Sequence, residues 1–143
     1  METTIESRKP TLLCVDDNQT VLHFRKMLLE SAGYAVLVAS DFATAIELFS
    51  SSAVDMVMSD HLLQGKTGTE LAAEMKRLKP TIPIVIVSGM VEEPEGMDHA
   101  DLFIGKGEPP PIWLKKISDV LQKSRCRPRS PRSTKRRRLS RWL

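Results

Sequence analysis

Five short, continuous apolar runs alternate with helix-patterned segments, and this rhythm constrains the fold more than any other feature. Leu12 to Val15 is the first run and stops at two aspartates. Tyr34 to Ala39, Val54 to Met58, Ile82 to Val87 and Leu102 to Ile104 follow, the fourth broken only by Pro83. Unbroken apolar runs of this length read as strands buried on both faces, as in a parallel sheet covered by helices. Between them Val21, Phe24, Leu28 and Ala32 recur at helical spacing and end at Gly33. Phe42, Ala45, Ile46 and Phe49 mark a second helix that Asp41 is placed to cap. Thr67 and Glu70 have capping-box spacing ahead of Leu71, Met75 and Leu78. Trp113, Ile117, Val120 and Leu121 form a last helix, begun by Pro109 to Pro111. The expected fold class is α/β: a doubly wound five-stranded parallel sheet of flavodoxin-like order 2-1-3-4-5, with right-handed crossovers.

Charge divides the chain. The segment 124–143 holds nine of the 21 basic residues and no acidic one. The remaining 12 basic groups face all 18 acidic groups, so residues 1–123 carry a net −6. The expected organisation is an N-terminal extension over 1–10, a folded domain over 11–123, and a basic disordered tail over 124–143. The tail is too short for a helix-turn-helix domain. Its Arg136, Arg137, Arg138 and Arg141 beside Leu139, Trp142 and Leu143 fit weak contact with nucleic acid or an anionic surface. Two cysteines, Cys14 and Cys126, give no disulfide scaffold, and with no leader-like segment the expected compartment is the cytoplasm. Cys14 falls inside a buried run and is expected to be inert. His23 and His99 have no metal-ligand spacing.

In open α/β sheets the ligand site lies beyond the carboxyl ends of the strands. Asp16 and Asp17 follow the first run, Asp60 the third, Ser88 the fourth and Lys106 the fifth. Taken alone, the aspartate pair is as well suited to capping a helix. Together, three carboxylates in one crevice repel unless a cation sits among them. All-oxygen ligands suit Mg²⁺ or Mn²⁺ rather than zinc. A metal among carboxylates with a lysine and a hydroxyl opposite is an arrangement for phosphoryl transfer, with a carboxylate free as nucleophile. The loop after the first run lacks the glycines that would cradle a nucleotide phosphate.

In this combination and order, residues 10–123 resemble the receiver domain of two-component response regulators. The resemblance implies that Asp60 accepts phosphate from a histidine kinase or phosphotransfer protein. Asp17 would be a direct Mg²⁺ ligand, with Asp16 beside it or acting through water, and the Leu62 carbonyl would complete the set. Lys106 would hold the phosphoryl group. Ser88 would turn inward to it, and Phe103 would be the switch aromatic. His61 is expected on the surface, pointing away from the site.

Three departures from the family pattern stand out. Asp60-His61-Leu62-Leu63-Gln64 lacks the usual proline, which should loosen that loop. Gly107 rather than proline follows Lys106, so a trans bond is expected there. Glu92, Glu93, Pro94, Glu95 and Gly96 should shorten the helix between the fourth and fifth strands. The expected function is a phosphorylation-switched receiver that acts through a downstream protein partner. The alternatives are a receiver-like module that never uses phosphate and a binder driven by the basic tail.

Overall fold

A computed structural model of the chain describes residues 9–89 and 97–126. Strand β1 (Thr11–Val15) leads into helix α1 (Gln19–Ser31), then β2 (Ala35–Ala39), α2 (Phe42–Ser51) and β3 (Met56–Asp60). A small hairpin, β4 (Leu62–Leu63) and β5 (Lys66–Thr67), precedes α3 (Gly68–Leu78). Strands β6 (Ile84–Ser88) and β7 (Leu102–Gly105) and helix α4 (Pro110–Cys126) complete the order. All pairings in the main sheet are parallel, in the order β2-β1-β3-β6-β7. This is the doubly wound arrangement read from the apolar runs.

The local signals act where the residues place them. Asp41 caps α2, accepting from Thr44 N at 2.7 Å. Thr67 and Glu70 form the reciprocal capping box of α3. Gly33 takes φ 100°, which ends α1 in a conformation glycine adopts freely. Between β6 and β7 the described residues hold only a 3-10 turn, Met97–His99. The acidic run 92–96, the N-terminal residues 1–8 and the tail from 127 onward lie outside the described residues. Helix α4 continues through Cys126, past the boundary drawn at residue 123.

The core lies on both faces of the sheet. Every residue of β3 and β6 is buried. Leu12, Cys14, Met56, Met58, Trp113 and Ile117 pack on one side, and Leu13, Val57, Phe49, Leu71 and Met75 on the other. Each large apolar side chain so enclosed contributes about 1.5–3 kcal/mol.

The buried stripe of α1 differs from the expected one. Leu22, Arg25 and Leu29 face inward, while Phe24 is 64% exposed and Val21 and Leu28 are partly so. The stripe is displaced by one residue because an arginine occupies a core position. A reading that counts arginine as polar selects the apolar residues next to it instead.

Cys14 is fully buried, and that burial pushes its thiol up to about 12. The unfolded thiol ionises near 9. The contribution to stability is therefore intact below that pH and lost as pH rises toward 12. With Cys126 replaced by serine, the native protein should resist iodoacetamide at pH 8 and label fully in denaturant. Rapid native labelling would show that the β1 core opens.

Candidate functional site

The carboxyl ends of β1, β3, β6 and β7 meet at one edge of the sheet. Asp16 follows β1 directly and is buried. Its backbone N–H continues the ladder to Ala39 O at 3.2 Å. Asp17 beside it is exposed. The capping duty that the aspartates could have taken falls to Asn18, whose side chain accepts from Val21 N at 3.1 Å. Both aspartates are thereby left facing the crevice.

Asp60 ends β3 and is 6% exposed. One carboxylate oxygen from each of Asp16, Asp17 and Asp60 lies within 4.8 Å of the others. Lys106, just past β7, places Nζ 2.7 Å from Asp60 Oδ1. Its backbone N–H donates to Ser88 O at 2.8 Å, which locks the Lys106 loop to the end of β6. Ser88 is buried and paired in register with Gly105. Phe103 is half-buried and packs against the core face that contains Phe49 and Leu71.

Electrostatics follow from this crowding. Burial, reinforced by the charge of Asp60, raises the Asp16 carboxyl above its ordinary value. The Asn18 N–H at Oδ1, Arg25 and Lys106 oppose that shift. The donor set is all carboxylate oxygen, partly open to water, and fits a hard divalent cation that keeps several waters. No described peptide bond is cis, so Lys106–Gly107 is trans as expected.

The loop after Asp60 is a surprise. The hairpin Leu62–Leu63 and Lys66–Thr67 closes through Gly65 at φ 74°, so the missing proline leaves a paired turn rather than an open loop. Leu62 is 66% exposed at its start. His61 is not a surface residue: it is 9% exposed. Its N–H donates to Val87 O at 2.9 Å, and its carbonyl accepts from Gly68 N at 2.6 Å. The backbone thus extends the β3–β6 ladder by one residue and is roofed by α3. Sequence reasoning also missed the role of Gly68. A Cβ there would lie 2.5 Å from the Asp60 carbonyl oxygen, so glycine is what lets α3 approach the end of β3. The Gln64-Gly65 turn between Leu62-Leu63 and Lys66-Thr67 was the available signal.

Residues 12–104 match the response regulator receiver domain family. The chain belongs to that family. Among relatives, the receiver is 32% identical over 123 residues to the transcriptional regulatory protein GlrR of Escherichia coli strain K12, covering 82% of this chain and 28% of GlrR. It is 32% identical over 117 residues to the autoinducer 1 sensor kinase/phosphatase LuxN of Vibrio harveyi, covering 82% of this chain and 14% of LuxN. The chain therefore spans under a third of the length of these relatives. The receiver domain protein of Methanospirillum hungatei JF-1 superposes with a TM-score of 0.76 at 26% identity, covering 82% of this chain and 98% of that one. TrrA of Thermotoga maritima, solved in complex with Mg²⁺-BeF, shares the fold at a TM-score of 0.73 and 23% identity, covering 78% of this chain and 98% of TrrA. Among the described residues no helix is long and apolar enough to cross a membrane.

Proposed function

We propose that this receiver is a phosphorylation switch with Asp60 as its acceptor, supplied by the phosphohistidine of a sensor kinase or phosphotransfer protein. The observation that carries the reading is the Lys106 ammonium held 2.7 Å from Asp60, with Asp16 and Asp17 gathered beside it. A carboxylate oxygen of Asp60 attacks phosphorus, a P–O bond forms, and the P–N bond to the imidazole breaks. The leaving imidazole takes up a proton. Lys106 moves with the charge, from the carboxylate to a phosphoryl oxygen. Ser88 donates to another phosphoryl oxygen, and Phe103 follows the vacated space inward. Mg²⁺ held by Asp16, Asp17, Asp60 and the Leu62 carbonyl would neutralise the transferred oxygens. Water later hydrolyses the acyl phosphate.

Output would pass to a downstream protein partner, in the cytoplasm.

Intact mass after incubation with acetyl phosphate tests the reading. One phosphoryl group per chain should appear with Mg²⁺ present and disappear with chelator. A folded protein that gains nothing, even under rapid sampling, would shift the reading to a phosphate-independent interaction module.

A further inference from the structure

Arg25 stands where the packing of α1 calls for an apolar side chain. It shares the inward face with Leu22 and Leu29, and its side chain is 7% exposed. A guanidinium taken out of water is costly unless it is paired. Its ion-pair partner is Asp16, at 3.5 Å from Nη1 to Oδ2. The guanidinium carbon also lies 5.3 Å from the centre of the Trp113 ring, in the first turn of α4. The ring holds the cation by a cation–π contact.

The contact with Asp16 is single and long, not the forked pair that arginine makes when it is spent on binding a carboxylate. Asp16 Oδ1 already accepts from Asn18 N at 3.0 Å. Oδ2 is the oxygen that Arg25 faces. We infer that Arg25 is a positioning residue that competes with the divalent cation for Asp16. It is a fixed positive charge that tethers Asp16 at the rim of the acidic trio and weakens Mg²⁺ binding. This rests on the Mg²⁺ site proposed above. It assigns to one arginine in the core of α1 the setting of that site's affinity.

Calorimetric titration of the full chain with MgCl₂ separates the possibilities. Removing the charge with Arg25→Met should tighten Mg²⁺ binding about tenfold, since a unit charge a few ångströms from a divalent ion is worth at least that much even when water screens it. Arg25→Lys, which keeps the charge, should stay within about threefold of the parent by the same argument. Equal or weaker binding by Arg25→Met, with the parent binding normally, overturns the inference and leaves the metal site standing. A parent that binds no Mg²⁺, indistinguishable from Asp17→Asn, overturns the site itself and this inference with it.

Should Arg25→Met not fold, a measurement that keeps Arg25 takes its place. With Trp142 replaced by phenylalanine, Trp113 is the sole reporter. Its emission should change as Mg²⁺ draws Asp16 away from the guanidinium, saturating at the calorimetric Kd. An unchanged emission at saturating Mg²⁺ would also overturn the inference.

Discussion

Asp60→Asn should slow phosphoryl uptake at least about a hundredfold. The amide is close to the carboxylate in shape but is not a nucleophile, so the step that forms the P–O bond has no donor. Asp16 and Asp17 lie within 4.8 Å, yet neither carries a lysine: the Lys106 ammonium is on Asp60. An unassisted neighbour loses the electrostatic help that is typically worth 10²–10³ in rate, so any stray adduct should form at least about a hundredfold more slowly. The fold should survive the change. Removing one of three crowded negative charges relieves repulsion, and the Lys106 side chain, 41% exposed, can turn to water. The melting temperature without Mg²⁺ should therefore hold or rise. Rate of phosphoryl gain by intact mass and thermal melting are the two readouts. An adduct that forms on Asp60→Asn at the parental rate would place the acceptor elsewhere.

The grouping of the candidate site was legible in the sequence because its parts are tied to strand ends. Four of the five apolar runs stop within two residues of a candidate site residue, and a parallel sheet brings those stops to one edge. Asp16, Asp60, Ser88 and Lys106 needed only the strand order to be brought together. What the sequence hid depends on side chains behaving against type. Arg25 enters the core because Trp113 and Asp16 receive it. Those two partners come from α4 and from the residue just after β1, and no window on α1 contains them. His61 reads as a polar loop residue, but the loop is a hairpin that folds back and buries it. Gly68 looks like a weak helix starter. Its necessity lies in a backbone oxygen eight residues earlier, which becomes a neighbour only when the hairpin has closed.

That close approach makes Gly68→Ala the most disruptive small change available near the site. The added Cβ would sit 2.5 Å from the Asp60 carbonyl oxygen, 3.1 Å from His61 Cα and 3.1 Å from Ile86 Cδ1. Ile86 can rotate a methyl away. The other two are backbone, held by the His61 N–H to Val87 O and by the Gly68 N–H to His61 O. Relief therefore requires α3 to back away from the sheet, which lengthens the Gly68–His61 hydrogen bond and loosens Leu71 and Ala72 beneath it. Overpacking of this kind costs about 1–3 kcal/mol, against a helix-propensity gain for alanine of at most about 1 kcal/mol. The net loss by urea denaturation should be about 1–2 kcal/mol.

The larger effect should fall on chemistry. The strained contact is with the carbonyl of Asp60, the proposed acceptor, and misplacement there by about 1 Å can cost about a hundredfold in rate. Gly107→Ala supplies the contrast. A Cβ there meets nothing within 4 Å, although the residue adjoins Lys106, so stability should stay within about 0.5 kcal/mol of the parent. Equal behaviour of the two variants would show that α3 does not need its close seat on β3. A selective loss at Gly68, in stability and in phosphoryl uptake together, would tie the acceptor's geometry to that single contact.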